Sequence, residues 1–249
     1  MGLGTPTAVL LAGWLIGATG IGGVLVVPVL TLQGLAPQEA IAASALAFAF
    51  PGLAALYWLR RAPGGWSGPG PTLVLSALPS ALLGAGLVRR LRPGWLLAGL
   101  ALLAVASGAR GLRGGSAPAA AQGELPRPAA AGLGALVGLG SALTGTGGPV
   151  LMIPLLMLLR QPLDRSIAAA QAIQLPLALC VTLPHCQAGR LDLALALGLG
   201  VLLLAGSLAG QWAARRIAVR TLQRGVCLLL LATGFWLAWR AIHLTVLSP

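Results

Sequence analysis

The chain has 249 residues, of which 57% are hydrophobic and 8% are charged, and its mean hydropathy is +0.92. Soluble domains are about a quarter charged, and a chain of this size cannot hide so much apolar surface from water. The composition therefore excludes a soluble fold and indicates a membrane protein. The net charge of +12 comes from sixteen arginines and no lysine. Arginines in short turns between apolar segments face cytoplasm and lipid headgroups, so the charge predicts contact with lipid and not with nucleic acid.

Apolar stretches recur along the whole chain. A helix of about 20 residues crosses the roughly 30 Å of hydrocarbon in a bilayer. The first half of the chain has four such stretches, and a Gly/Pro/Ala-rich stretch at 112–127, typical of a flexible surface linker, precedes four more. The sequence thus predicts an all-α, multi-pass inner-membrane protein of eight apolar segments, at 6–34, 38–59, 70–88, 93–110, 128–159, 163–184, 191–212 and 220–245.

The two halves of the chain resemble each other at a single offset of 126 residues. Paired prolines and a paired double arginine in one register are not expected from composition alone, so we predict a duplication. Residues 1–111 would form the first repeat of four segments, 112–127 the linker and 128–249 the second repeat. The matched positions are Gly22 and Gly148, Pro28 and Pro154, Ile41-Ala42-Ala43 and Ile167-Ala168-Ala169, Gly84 and Gly210, and Arg89-Arg90 and Arg215-Arg216.

The first segment of each repeat is interrupted by glycines, at 18–23 (ATGIGG) and at 144–149 (TGTGGP). Glycines weaken a helix, and a proline fits the first turn of a new helix but not a helix interior. We predict that each first segment is broken or re-entrant at mid-membrane depth, where exposed backbone groups must face protein or a wet cavity. Such paired breaks are typical of secondary transporters. The alternative is that these glycines only allow close helix packing.

Two helix ends that restart after the breaks would offer N–H groups and partial positive charge to an anion. The four acidic residues lie at the ends of apolar segments or in the linker, and none lies deep within a segment, which favours an anionic solute over a cation. Neither a metal site nor a cofactor is predicted. The candidate substrate-binding residues are the polar and glycine positions of the breaks and of the second segments: Thr19, Gly20, Gly22, Gly23, Ser44, Thr144, Gly145, Thr146, Gly147, Gly148, Gln171 and Gln174. Interhelical hydrogen bonding is an equally good explanation of the serine and the glutamines.

The glycine pattern of the breaks, followed by a proline and an Ala-rich second segment, occurs in both halves. It runs Gly20-x-Gly22-Gly23-x4-Pro28 with Ala42-Ala43-Ser44, and Gly145-x-Gly147-Gly148-x5-Pro154 with Ala168-Ala169-Ala170-Gln171. This pattern resembles the TauE/SafE family over nearly the whole chain. The resemblance implies transport, without ATP, of sulfur-containing anions such as sulfite, sulfoacetate or a related organosulfonate. That family has a Thr-Ser pair in the second segment, where this chain has Ala43-Ser44 and Ala170-Gln171.

Two topologies remain open. If every segment spans, the arginines divide nine to seven between the two sides of the membrane, which is no useful bias. If each broken first segment turns back as a hairpin, the repeats are inverted, the arginines divide eleven to five, and both termini lie outside. We prefer the inverted arrangement.

Two other functions are alternatives to transport. A membrane enzyme, for example a hydrolase using a serine and His185, would need a Gly-x-Ser-x-Gly motif or an acidic orienting residue within the membrane, and the sequence has neither. A non-transporting assembly subunit is the other alternative. No phosphate-binding loop of the Walker type is present. The expected partners are a small anionic solute and membrane lipid, and a homo-oligomer is left open.

Overall fold

The computed structural model describes residues 4–61, 70–87, 93–113, 125–144, 148–159, 161, 163–187, 189 and 191–246. Helices, and no strands, make up the regular structure of these residues. The helices are α1 Gly4–Thr19, a 3-10 turn Gly22–Leu25, α2 Val26–Leu32, α3 Pro37–Ala47, α4 Ala49–Arg61, α5 Gly70–Leu87, α6 Pro93–Arg113, α7 Arg127–Thr144, α8 Pro149–Leu158, α9 Leu163–Gln187, α10 Leu193–Ala214 and α11 Val219–Val246.

The helix bounds agree with the all-α prediction. The third and fourth segments of each half, and the second segment of the second half, end within three residues of the predicted limits. The predicted segment 38–59 is two helices, α3 and α4, which meet at Phe48. Helix α6 continues to Arg113 and α7 begins at Arg127, so both ends of the predicted linker are helical and its residues 114–124 lie outside the described part.

Much of the helical surface is apolar and exposed. Leu32, Leu75, Leu102 and Phe235 expose 85%, 68%, 73% and 64% of their surface. Among the residues that the structure describes, four stretches are long and apolar enough to cross a membrane, namely Glu39–Tyr57, Ser166–Gln187, Leu193–Ala214 and Arg220–His243. Because such a surface is unfavourable in water, it fits a protein embedded in lipid.

Three of the helices at the breaks are too short to cross a bilayer. Helix α1 has 16 residues, α2 has seven and α8 has ten. At 1.5 Å per residue, α1 rises about 24 Å and α8 about 15 Å, less than the roughly 30 Å of hydrocarbon. These helices therefore end within the thickness of a membrane.

Helices from opposite halves of the chain pack in parallel pairs through glycines. Helix α1 packs along α10 and α5 packs along α7. A Cβ atom on Gly13 would lie 2.6 Å from the carbonyl oxygen of Leu203, and one on Gly17, a turn later, would overlap Ser207. A step of four residues along α1 thus corresponds to a step of four residues forward along α10, so the two helices run parallel. The same holds for α5 and α7, where Gly134 meets Leu73 and Gly138 meets Ala77.

The last helices of the two halves pack antiparallel. A Cβ atom on Gly108 of α6 would lie 2.8 Å from the carbonyl oxygen of Cys227, near the start of α11. One on Gly234, farther along α11, would lie 3.1 Å from the carbonyl oxygen of Ala101, which precedes Gly108 on α6. Helices α6 and α11 therefore run in opposite directions.

Candidate functional site

The first break follows α1 and reverses the chain. Helix α1 ends at Thr19, and Gly20 has a φ of +80°, a conformation that glycine adopts without steric cost. A Cβ atom on Gly22 would overlap the Ala12 carbonyl oxygen and would lie 2.7 Å from the Ile16 nitrogen. A continuous helix would place residues 12 and 22 about 15 Å apart, so the chain turns back along α1 as a hairpin.

The hydroxyl of Thr19 makes two hydrogen bonds within this turn. It donates to the Leu15 carbonyl oxygen at 2.7 Å and accepts the Ile21 N–H at 3.4 Å. The side chain is buried, as are Gly20, Gly22 and Gly23, and the Gly23 carbonyl accepts the N–H of Val26. The glycines and threonine predicted for the first break thus form the bend itself.

The second break lies between α7 and α8. Gly148, with a φ of +94°, precedes Pro149 at the first position of α8. A Cβ atom on Gly140 of α7 would meet the Leu151 side chain of α8, so the chain also reverses here. Helix α7 ends at Thr144, whose side chain lies outside the described part, as do the predicted site residues Gly145, Thr146 and Gly147.

The two breaks adjoin through apolar side chains. A Cβ atom on Gly20 would lie 2.6 Å from the Cδ1 atom of Ile153 in α8. Ile21 and Val24 of the first break belong to the same buried cluster as Val150 and Met152. Within the described residues, the two breaks therefore contact each other through apolar side chains.

Gln171 of α9 links the second half of the chain to the first break. Its amide nitrogen donates to the carbonyl oxygens of Ile16 and Gly17 at 2.7 and 3.2 Å. The last carbonyl groups of a helix lack hydrogen-bond donors within the helix. The Gln171 amide is such a donor for the carbonyl groups at the end of α1. Ser44 is fully buried and donates to the Ala40 carbonyl oxygen at 2.6 Å, within α3. Helix capping accounts for Gln171, and a bond within its own helix accounts for Ser44.

Gln174 differs from Gln171 because its amide has no partner. It is 1% exposed, and neither Nε2 nor Oε1 makes a hydrogen bond. The hydroxyl of Ser141, also 1% exposed, has no partner either. Both side chains line one cavity between α3, α7 and α9, which Phe48, at the end of α3, also lines. The other lining residues are apolar: Ile41, Ala45, Phe48, Leu177, Ala178 and Val181.

This cavity lies beside the second break. A Cβ atom on Gly148 would lie 2.7 Å from the Cδ1 atom of Leu177 and 3.4 Å from the hydroxyl oxygen of Ser141. The volume of the cavity is about 20 Å³, which is room for about one water. Polar groups left unpaired in such a place cost free energy. The cavity therefore has the character of a ligand or water site.

Gln174 is the one lining residue that the sequence predicted as a site residue, and Ser141 and Phe48 are two that it did not. Ser141 stands one turn before the end of α7, and a lone serine in an apolar segment is a weak signal. Phe48 stands 126 residues before Gln174, so the duplication offset pairs the two, but only the structure places them in the same cavity.

Other polar residues of the described part have structural roles. Asp192 caps α10 by accepting the Leu195 N–H at 3.0 Å, and His243 packs against the Trp239 ring at 4.7 Å between centroids. Arg216 stacks over the ring of Trp212 at 3.7 Å. No group of three metal-ligating side chains occurs within the described ranges.

Apolar helices long enough to span, two broken segments and a cavity beside one break that contains two unpaired polar groups are typical of a multi-pass inner-membrane protein of the transporter class. Residues 7–237 match the family described as Sulfite exporter TauE/SafE. The chain therefore belongs to the TauE/SafE family, whose members are membrane anion exporters. Comparison with curated proteins gave no match, and neither did comparison with solved structures.

Proposed function

We propose that this protein is a secondary carrier of small sulfur-containing anions, of the sulfite or organosulfonate type such as sulfoacetate. The proposal rests mainly on the cavity beside Gly148, where the buried Gln174 amide and Ser141 hydroxyl have no protein partner. In a bundle surrounded by lipid, hydrogen-bond donors of this kind are retained for a solute or for water.

The surroundings of the cavity favour an anion. Helix α8 begins at Pro149, next to the cavity, and a helix N-terminus carries about half a positive charge. Pro149 has no N–H, and the N–H groups of Leu151 and Met152 are bonded to the Gly148 carbonyl oxygen, so the contribution of this helix end is its dipole more than free donors. Gln174 can add two N–H donors and Ser141 an O–H donor. No carboxylate is among the lining residues, whereas sites for cations are built from oxygen ligands that bear negative charge.

The proposed architecture is a pair of inverted repeats, 1–111 and 128–249, joined by the linker 112–127. Inverted repeats are related by a two-fold axis in the membrane plane, which makes equivalent helices antiparallel. The equivalent helices α6 and α11 are antiparallel, and the pairs α1–α10 and α5–α7 are exchanged by the same operation. Motion of one repeat against the other would expose a site between the broken segments to each side in turn.

The remaining predicted site residues stay within this proposal in two roles. Thr19, Gly20, Gly22, Gly23 and Gly148 shape the breaks, and Gln171 attaches α9 to the end of α1. Thr144, Gly145, Thr146 and Gly147 join α7 to Gly148 and are proposed to complete the anion end of the cavity, and Ser44 is proposed to support the packing of α3.

Flux measurements on the purified protein test the function. Proteoliposomes loaded with radiolabelled sulfite should release it down a gradient without ATP, and external sulfite or an organosulfonate should compete. Protein-free liposomes measure passive leakage. Release no faster than from protein-free liposomes, for sulfite, sulfonates, thiosulfate and sulfate alike, would refute the proposal.

A further inference from the structure

The side-chain amide of Gln174 makes no hydrogen bond in the protein, either as a donor or as an acceptor. Neither the Nε2 donor nor the Oε1 acceptor has a partner, and Ser141, across the same cavity, also has none. An amide offers two donors and one acceptor, and a serine hydroxyl can rotate to donate or accept. A ligand that satisfies this set must accept hydrogen bonds and also donate one.

We infer that the cavity binds a singly charged oxyanion that carries its own hydrogen-bond donor, hydrogensulfite rather than the sulfite dianion. This inference rests on the proposed transport of sulfur oxyanions and specifies the form that is bound: within that proposal it selects hydrogensulfite over sulfoacetate, which carries two negative charges and no proton to donate. Hydrogensulfite has one negative charge and one proton, and both forms of sulfite exist near neutral pH.

The charge of the site supports a single negative charge. None of the described lining residues is charged, and six of the eight are apolar. A helix N-terminus contributes about half a positive charge, and neutral donors add partial charges. These groups can offset one buried charge, but a second charge among apolar walls would lack compensation.

The acceptor oxygen of Gln174 supports the presence of a proton on the ligand. Sulfate or the sulfite dianion would bring only acceptor oxygens toward Oε1, which would stay unpaired and would repel them. The proton of hydrogensulfite can be donated to Oε1 while its other oxygens accept from the amide N–H groups and from Ser141. The cavity has room for about one water, so its walls, which include Phe48 and Leu177, would have to move apart to admit hydrogensulfite and farther apart to admit a longer sulfonate.

No titratable side chain of the described part lines the cavity. The helices around it do carry such groups elsewhere along their length. We therefore expect the pH dependence of binding to come from the solute. The titratable and charged residues elsewhere on these helices are Glu39 on α3, Tyr57, Arg60 and Arg61 on α4, Arg127 on α7, and Asp164, Arg165, Cys180, His185 and Cys186 on α9.

The test separates the two forms of sulfite by pH. Proteoliposomes with equal pH inside and outside are assayed below and above the second pKa of sulfite, with total sulfite adjusted so that hydrogensulfite stays constant. Leakage from protein-free liposomes is subtracted at each pH. Competition by sulfate, a dianion without a proton, and by methanesulfonate, a single charge without a donor, is measured in parallel.

The matched variants are Gln174→Met, which keeps the length of the side chain, and Gln211→Met, which changes a half-buried glutamine of α10. Purification as a single species in detergent shows that each is folded. Loss of hydrogen bonds to a charged ligand should slow flux by about tenfold or more in Gln174→Met, whereas Gln211→Met should retain wild-type flux.

The inference predicts constant flux at constant hydrogensulfite, with methanesulfonate a weak competitor and sulfate the weakest. Flux that follows the dianion, or sulfate that competes as well as hydrogensulfite, would overturn the inference while the transport function stands. Full flux in Gln174→Met would mean that the cavity holds only water, which also overturns it. Absence of any sulfite flux would overturn the inference and the proposed function together.

Discussion

Two glutamines on one helix, three residues apart, have different roles in this protein. Gln171 donates to the end of α1, and Gln174 faces a cavity without a protein partner. The sequence identified both as polar residues at the same depth, because amides in apolar segments are rare. It could not separate them, because the difference depends on which helix of the other half packs against each side chain.

The glycine at the second break combines two constraints. Gly148 has a φ of +94° and lies against Leu177 and Ser141, whereas Gly34 has a φ of +91° and open space around it. A side chain at positive φ costs about 1–2 kcal/mol, so Gly148→Ala and Gly34→Ala should both lower the thermal unfolding midpoint in detergent.

Only Gly148→Ala should also lose sulfite flux in proteoliposomes, because its Cβ atom enters the wall of the cavity. Gly34→Ala is the control for backbone strain alone. Wild-type flux in Gly148→Ala would show that the geometry of this break does not matter for transport.

At the scale of helices, the apolar segments could be predicted from the sequence because hydrophobic length determines where a helix can cross lipid. The glycine clusters also predicted where the first segments break. The helix partners were beyond sequence reasoning, since close packing of α1 with α10 depends on which glycines of two distant segments face each other. The interruption at Phe48 has a signal in the sequence that the segment prediction did not use, because Pro51 cannot donate a hydrogen bond to the carbonyl of Ala47, where α3 ends.

Helix α10 offers a matched pair of glycines to test this packing. A Cβ atom on Gly210 would overlap the Trp14 carbonyl oxygen of α1, whereas one on Gly198 would meet nothing within 4 Å. Gly210→Ala should therefore lower the thermal unfolding midpoint. Gly198→Ala should leave it unchanged or raise it, because alanine favours helix by about 1 kcal/mol over glycine. Equal midpoints for the two variants would contradict the close contact between α1 and α10.

At the scale of the whole molecule, the proposed inversion of the two halves is supported by the chain reversals at both breaks and by the antiparallel α6–α11 pair. With α1–α2 and α7–α8 as hairpins, Gly34 lies on one side of the membrane and Pro126 and Arg216 lie on the other. If every segment spanned, Gly34 and Arg216 would share a side. Arginine counts left both arrangements open, and the direction of helix contacts favours the first.

Single cysteines distinguish these topologies. The three native cysteines, Cys180, Cys186 and Cys227, are first replaced, and Gly34→Cys, Pro126→Cys or Arg216→Cys is then introduced. A membrane-impermeant thiol reagent applied to intact cells should label position 34, and should label 126 and 216 only after the cells are opened. Joint labelling of 34 and 216 from outside would rule out the inverted arrangement.

The most direct test of the anion site is equilibrium binding of sulfite to the purified protein by titration calorimetry. Gln174→Met and the matched Gln211→Met are compared with the unmodified chain. We expect one site per chain, an affinity at least about tenfold weaker in Gln174→Met because hydrogen bonds to a charged ligand are lost, and unchanged binding in Gln211→Met. Equal sulfite affinity in all three proteins would contradict a substrate site beside the second break.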